Sequence, residues 1–211
     1  MPFSIDRRVF KGGLFLSACL GLSFLTPFPS LRLFFLILLG YHISFFRDPL
    51  PKTALPHQIL APASGTIVEI SIVPENRYLQ KEAVRIGIFL SLFDVHVNRA
   101  PMAGRIEYMK YEPGTFFNAM TAEASRKNEC VWIGLEKEGK KVLVRPISGA
   151  IARRICRDVS EKQSVTQGEK IGIICYGSRA ELYLPKDTFK LNVQVGQKTQ
   201  VGRTILGEWT L

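Results

Sequence analysis

The sequence predicts a mainly β fold, a compact antiparallel barrel or sandwich preceded by an N-terminal hydrophobic helical hairpin. Three observations carry that expectation. From residue 57 onward the apolar residues fall in short runs with turn-forming residues between them, and no helical period is sustained for long. Three segments echo one another: Ala61-Pro62-Ala63-Ser64-Gly65-Thr66-Ile67, Ala100-Pro101-Met102-Ala103-Gly104-Arg105-Ile106 and Arg145-Pro146-Ile147-Ser148-Gly149-Ala150-Ile151. The first 47 residues hold two apolar runs, residues 9–25 and 31–46, with no acidic residue in either.

The N-terminal runs are separated by Thr26-Pro27-Phe28-Pro29-Ser30. As helices each would be about 25 Å long at 1.5 Å per residue, slightly short of a hydrocarbon core of about 30 Å. They suit a tight membrane hairpin, spanning or re-entrant. A cleaved signal peptide is the competing reading, because Arg7, Arg8 and Lys11 precede the first run. No small-residue cleavage site follows that run, and a second apolar run comes at once. Those basic residues on one flank, with Arg47 and Lys52 on the other, place both ends at the cytoplasmic face. Residues 1–47 are thus expected as the anchor, the proline-rich stretch 48–56 as a linker, and 57–211 as the working domain.

The formal net charge of +10 fits that placement, since anionic headgroups attract basic residues near the bilayer by about 1 kcal/mol each. It does not point to nucleic acid, because no basic helix, zinc spacing or aromatic platform interleaved with Lys and Arg accompanies it. Cys19, Cys130, Cys156 and Cys175 are too scattered for metal ligation or a disulfide framework and read as free thiols. No metal site is expected.

In the repeats a proline sets a turn, a glycine lets the backbone bend, and a buried strand follows. A shorter echo pairs Val165-Thr166-Gln167-Gly168-Glu169-Lys170 with Val193-Gln194-Val195-Gly196-Gln197-Lys198. Such units are similar to the half-motifs of lipoyl-like barrels, and they are too short and uneven for a solenoid. Residues 120–128 read either as a short helix or as a mobile loop.

The chemistry concentrates near the end, where Ile173-Ile174-Cys175-Tyr176 and Leu182-Tyr183-Leu184-Pro185 flank Gly177-Ser178. Glycine tolerates backbone angles that turn its carbonyl toward the next hydroxyl. A serine oxygen held within about 3 to 3.5 Å of that carbon can convert the amide to an ester. β-Elimination then leaves dehydroalanine, which hydrolyses to a pyruvoyl group. Alone, a Gly-Ser pair is more often a plain turn.

The surrounding residues decide between these. Tyr176-Gly177-Ser178-Arg179-Ala180-Glu181-Leu182-Tyr183-Leu184-Pro185 resembles the maturation site of the short-form, archaeal-type phosphatidylserine decarboxylases, which are pyruvoyl-dependent. The likeness continues in Phe46-Arg47-Asp48-Pro49, Phe93-Asp94-Val95-His96-Val97-Asn98-Arg99-Ala100-Pro101, Pro113-Gly114-Thr115-Phe116-Phe117-Asn118-Ala119 and Ala152-Arg153-Arg154-Ile155. It covers the chain from about residue 45 to the end. The resemblance implies a proenzyme cut between Gly177 and Ser178 into a β chain (1–177) and an α chain (178–211) that stay together as a heterodimer. Ser178 would become the pyruvoyl cofactor, form a Schiff base with phosphatidylserine at an anionic membrane surface, and release CO2 to leave phosphatidylethanolamine.

His96 is the expected proton handler, because His42 lies in an apolar run and His57 at the linker. Asp94, two residues away on the same face of a strand or strand end, is expected to orient it. Two departures from the family pattern bear on maturation. Ala63-Ser64-Gly65 stands where many relatives carry Ala-Asp-Gly, and Arg99 stands where longer relatives carry a second histidine. His96 with Asp94 is what remains for the acid and base of cleavage, or else processing is slow. Arg99, Arg153, Arg154 and Arg179 are candidates for the lipid phosphodiester, since guanidinium forks match phosphate oxygens. The resemblance makes Asn118 a candidate for the serine carboxylate, and Phe116 and Phe117 read as core or membrane-contacting aromatics. Two other functions compete: a membrane-anchored barrel adaptor without catalysis, and a pyruvoyl decarboxylase of a soluble amino acid.

Overall fold

The two apolar runs at the start fold as α1 (Val9–Ser23) and α2 (Pro29–Phe45). The first helix stops at Ser23, whose carbonyl accepts from the Thr26 hydroxyl at 2.8 Å before Pro27 bars continuation. The second starts at Pro29, where a fixed φ and a missing N–H cost nothing. The helices touch where His42 Nε2 lies 3.0 Å from the Val9 carbonyl, and Gly12 makes the approach possible, because a Cβ there would sit 2.5 Å from the imidazole. Strands β1 (Phe3–Ile5) and β2 (Arg47–Pro49) pair antiparallel at the base of this hairpin. No described helix is long and apolar enough to cross a membrane. The hairpin nevertheless exposes Phe10, Leu14, Phe15, Phe34, Leu36 and Ile37.

The computed structural model describes residues 3–150, 154–175 and 178–210. The chain divides into two units, Met1–Leu50 and Pro51–Leu211, so the expected linker is shared between them. In the second unit the strands are β3 (Gln58–Leu60), β4 (Gly65–Glu75), β5 (Lys81–Leu90), β6 (Val97–Arg99), β7 (Gly104–Glu112), β8 (Cys130–Lys137) and β9 (Lys140–Ile147). They continue as β10 (Ile155–Arg157), β11 (Ser164–Val165), β12 (Lys170–Ile174), β13 (Ser178–Pro185), β14 (Phe189–Leu191), β15 (Lys198–Thr199) and β16 (Ile205–Trp209). One short helix, α3 (Ala122–Lys127), settles the nature of residues 120–128. The Thr121 hydroxyl caps it by accepting from Ala124 N, with Glu123 in the first turn and Arg126 and Lys127 in the last, as the helix dipole favours.

Eight strands form one curled antiparallel sheet in the order β11-β7-β8-β9-β13-β5-β4-β15. Two three-stranded sheets, β10-β12-β6 and β14-β16-β3, accompany it. The main core joins Ile59, Ile67, Ile88, Ile106, Ile171, Ala180, Leu182 and Leu206, which brings all three sheets onto one face of the large one. A smaller cluster of Leu79, Ala83, Trp132, Leu143, Ile147 and Tyr183 covers the opposite face. The mainly β reading therefore holds.

The repeats are realised unequally. Gly65 runs so close to the Phe89 carbonyl that any Cβ would collide with it, and the backbone there takes φ +153°. The third repeat departs from the expected turn, because Pro146 lies inside β9 opposite Ala180. Proline has no N–H to give, and the β8–β9 ladder is interrupted between the pairs Cys130–Ile147 and Ile133–Val144. The shorter echo is one turn used twice: Glu169 N donates to the Thr166 carbonyl at 3.1 Å and Gln197 N to the Gln194 carbonyl at 3.2 Å. Gly168 and Gly196 take φ of +78° and +90° in these turns.

Candidate active site

Strand β13 lies centrally, between β9 and β5, and Ser178 is its first residue. Side chains alternate along it. Ala180, Leu182 and Leu184 enter the main core, so Ser178 faces that side too, opposite Leu90 of β5. Arg179, Glu181 and Tyr183 face the other way. Ser178 is fully buried, and its hydroxyl has no hydrogen-bond partner among the described residues. A buried hydroxyl left unpaired costs about 1 to 3 kcal/mol, and native folds rarely tolerate it without a reason. Gly177, the other half of the expected cleavage site, lies outside the described residues, as does Arg153.

A second such hydroxyl stands beside it. The recorded pair Arg179–Ile147 puts Ser148, one residue past the end of β9, across from Ser178 and on the same face. Ser148 is fully buried, and its Oγ also has no partner among the described residues. Its backbone is fixed on both sides: Ser148 N donates to the Glu129 carbonyl at 2.9 Å, and its own carbonyl accepts from Asn128 Nδ2 at 2.8 Å. Sequence reading passed over Ser148. Its one signal was the Ser148-Gly149 pair, which repeats Ser64-Gly65.

His96 is fully buried and precedes β6. Its carbonyl accepts from Ile174 N at 3.1 Å, at the end of β12, four residues before Ser178. Its Nδ1 lies 2.9 Å from the Asp94 main-chain carbonyl. A carbonyl only accepts, so the proton sits on Nδ1 and Nε2 is the basic nitrogen. Asp94 thus orients the ring through its backbone. Its carboxylate is engaged elsewhere, accepting from Ser91 N at 2.9 Å and the Ser91 hydroxyl at 2.6 Å. That turn ends just before β6, so His96 stands at a strand end, one of the two placements expected for it, and the Asp94 side chain gives the preceding backbone an alternative partner.

The remaining candidates separate by burial. Arg179 is buried and bound to Glu181 at 2.8 Å through Nε and to Glu69 at 2.5 Å through one terminal nitrogen. Gly87 makes room for it, as a Cβ there would meet the guanidinium at 2.5 Å. Arg99 is buried and donates to the Gly168 carbonyl at 2.7 Å. Both cations are thus engaged inside the fold. Arg154 is exposed and lies beside the same strand end, its carbonyl accepting from Cys175 N at 3.1 Å. Asn118 is exposed, and its side chain accepts from Met120 N at 3.1 Å. Ser64, at the position of the family's aspartate, accepts from Val201 N at 2.9 Å.

Glu181 gathers four polar side chains inside the fold. Fully buried, it accepts from Ser125 Oγ at 2.6 Å, Arg179 Nε at 2.8 Å, Tyr183 Oη at 2.7 Å and Arg145 at 3.2 Å. Ser125 belongs to α3, so the carboxylate ties that helix to β13. Burial pushes the Tyr183 hydroxyl up, and the Glu181 charge adds to it. Burial opposes the charge on Arg145, yet Glu181 outweighs it and holds that group above its usual value. Burial alone would raise Glu69; hydrogen bonds from Ser71, Arg179 and Arg85 outweigh it and hold the carboxyl below the usual range. Among the described residues no group of three or more His, Cys, Asp and Glu side chains is placed to hold a metal ion.

The profile of the family described as phosphatidylserine decarboxylase matches residues 39–207. Among similar proteins, the phosphatidylserine decarboxylase proenzyme of Carboxydothermus hydrogenoformans is 42% identical over 180 residues, covering 84% of this chain and 84% of its own. That of Desulfotalea psychrophila is 38% identical over 182 residues, with the same 84% of each chain covered. That of Salinibacter ruber is 43% identical over 173 residues, or 80% of this chain and 76% of its own. With the family profile matched over most of the chain, relatives alike over most of both chains, and a buried serine without a hydrogen-bond partner among the described residues heading the central strand, the chain belongs to the phosphatidylserine decarboxylase family of carboxy-lyases.

Proposed function

We propose that the chain is a proenzyme that opens its own Gly177–Ser178 bond and then decarboxylates phosphatidylserine. The observation that carries this reading is the Ser178 hydroxyl, fully buried and without a hydrogen-bond partner among the described residues. A hydroxyl with no bond to break is free to attack the carbonyl carbon before it. In that attack the Oγ–C bond forms, the C–N bond breaks, and the Ser178 nitrogen takes up the proton that the hydroxyl loses. Elimination follows: Cα loses a proton, the Cβ–Oγ bond breaks, and residue 177 leaves as a carboxylate. The dehydroalanine tautomerises to an imine, and water replaces its nitrogen as ammonia, leaving a ketone at position 178.

His96 is assigned the proton transfers. The Asp94 carbonyl holds its tautomer so that Nε2 is basic, and pairing of its own carbonyl with Ile174 N holds it beside the strand end that leads to Ser178. With Ser64 engaged by Val201 N, no acid replaces the family's aspartate at that position. A pyruvoyl group at 178 fits this surrounding, and it supplies a ketone that condenses with the substrate amine and takes up the electrons left by departing CO2. Arg154, exposed beside the strand end, is assigned with Arg153 to the lipid phosphodiester, and Asn118 to the serine carboxylate. Arg99 and Arg179 act from inside, the first on the backbone at Gly168 and the second on Glu181 and Glu69.

After the cut, residues 178–211 stay bound to 1–177, because β13 is paired along its length with β5 and from Arg179 to Tyr183 with β9. The N-terminal hairpin is assigned to the membrane. Its exposed Phe and Leu side chains suit a re-entrant or interfacial anchor, and the flanking basic residues favour the cytoplasmic face.

Intact-mass analysis tests the reading. The active protein is expected as two chains, the smaller starting at residue 178 with a blocked, ketone-bearing end. Ser178→Ala is expected to stay one chain with no CO2 release from phosphatidylserine. Full turnover in uncut material would overturn the proposal, and equal turnover of free serine would assign the substrate to the soluble amino acid.

A further inference from the structure

Five strand ends lie together at the end of the large sheet where Ser178 sits. The recorded pairs Glu112–Cys130, Cys130–Ile147, Arg179–Ile147 and Ser178–Leu90 run straight across the sheet. Residues 91–95 after β5 and 113–121 after β7, with α3, therefore emerge on the same side as the serine. This end differs from the rest of the surface. Among the described residues of the second unit the large hydrophobic side chains that stand exposed are Leu55, Ile72, Phe93, Tyr111, Phe116, Phe117, Met120 and Val195, and all four aromatics among them lie here. Phe93 is 78% and Met120 62% exposed.

The backbone that carries two of these rings is held by side-chain hydrogen bonds. Phe117 is fixed at both backbone atoms by Asn128, whose Oδ1 accepts from Phe117 N at 2.8 Å and whose Nδ2 donates to its carbonyl at 2.8 Å. Phe93 sits in the turn that Asp94 closes on Ser91. Folding has spent order on presenting apolar rings to the outside. Basic residues stand among them: Lys127 Nζ lies 5.6 Å from the Phe117 ring centre, and Arg126 and Arg154 are exposed without an ion pair among the described residues. Glu123 is paired with Lys127, and the less exposed Glu112 with Arg77. Aromatic rings beside unpaired cations are what the headgroup layer of an anionic bilayer accepts.

We propose that this end of the sheet docks on an anionic lipid bilayer, with Phe93 and Met120 entering the headgroup region and Arg126 and Arg154 meeting anionic headgroups. A lipid then reaches residue 178 without leaving the membrane. The inference rests on the substrate being a bilayer lipid, and it adds a contact surface independent of the N-terminal hairpin.

The test places a fluorophore at this end and another at the far end of the full chain. Trp132 and Trp209 are both buried, so Phe93→Trp adds an exposed reporter. Ile72→Trp is the control, since six strand residues separate it from Thr66 at the serine end, or about 20 Å. Vesicles of phosphatidylglycerol and phosphatidylcholine carrying brominated acyl chains are expected to quench the tryptophan at 93 and spare the one at 72. Equal quenching at both, or none at 93 while acrylamide still reaches it, overturns the proposal. In the wild-type background, Phe93→Ser with Met120→Ser is expected to lower kcat/KM on vesicle-borne phosphatidylserine about tenfold. On a short-chain soluble phosphatidylserine it is expected to change kcat/KM by less than about twofold; equal losses on both substrates overturn the docking role. A chain that is cut yet inactive on either substrate defeats the functional reading alone, because quenching reports docking without turnover.

Discussion

The two faces of β13 treat buried polar groups in opposite ways. On one face Glu181 accepts four hydrogen bonds, from Ser125, Arg179, Tyr183 and Arg145. On the other, three residues earlier, Ser178 has none among the described residues, and neither does Ser148 across from it. Burial is complete for all three side chains, so solvent access does not explain the contrast. A satisfied network fixes the position of a strand; an unsatisfied hydroxyl retains the reactivity that a hydrogen bond would consume. One face therefore holds the strand so that the other can be left unpaired.

The largest expected effect comes from breaking the satisfied face. Glu181→Ala leaves Arg145 and Arg179 buried beside Ser125 and Tyr183 with no carboxylate between them. Removing one partner of a buried ion pair costs about 3 to 5 kcal/mol. Measured by urea unfolding in the uncut Ser178→Ala chain, where two-chain dissociation does not interfere, the double variant is expected to lose that much. In the cleavable chain, Glu181→Ala is expected to slow scission as well, because β13 no longer holds residue 178 in one place. A loss below about 1 kcal/mol, the range of exposed ion pairs, would show that the network does not anchor the strand.

The contrast also explains what the sequence disclosed and what it hid. Ser178 and His96 stood out in the sequence because their motifs are local, and both are buried in the fold. The two echoes near Gly168 and Gly196 were legible too, since a turn is specified by its own residues. The burial of Arg99 and Arg179 was not. Nothing near Arg179 or Arg99 announces burial, which follows from strand register and from loops distant in the chain. Glu69 is 110 residues from Arg179, and the Gly168 carbonyl is 69 from Arg99. Pro146 misled for the same reason: alone it reads as a turn former, yet it lies inside β9 opposite Ala180. Asp94 meets His96 through its carbonyl and not its carboxylate, a choice made by Ser91, three residues upstream.

A smaller effect, with two readouts of opposite sign, is expected at the unsatisfied face. Ser148→Ala removes a buried hydroxyl that has no partner among the described residues. Relief of that burden is expected to raise unfolding stability by about 1 kcal/mol in the uncut Ser178→Ala background. The same change in the cleavable chain is expected to slow scission about tenfold, the low end of what one positioned polar group supplies. Intact mass against time after synthesis reads the second. A drop in stability would mean that the hydroxyl is bonded in the fold, and the two faces would then differ less than their geometry indicates.

The smallest effect concerns Glu69, which holds Arg179 from the edge of the satisfied face. Its carboxyl is held below the ordinary range because hydrogen bonds from Ser71, Arg179 and Arg85 outweigh burial. A folded-state pKa below the unfolded value of about 4.3 fixes the sign. The stabilisation is present in full above the unfolded pKa and is lost as pH falls through the folded one. Glu69 is partly open to water, with 29% of its side chain exposed, so screening keeps the contribution to about 1 kcal/mol or less. Urea unfolding of the Ser178→Ala chain with and without Glu69→Gln, from pH 7 down to about pH 3, reads it directly. The two curves are expected to stand apart near neutrality, with the glutamine variant weaker, and to converge in acid as the carboxylate takes up its proton. If they stay parallel down to acid pH, Glu69 acts on Arg179 through shape rather than charge, and the anchoring of β13 rests on Glu181 alone.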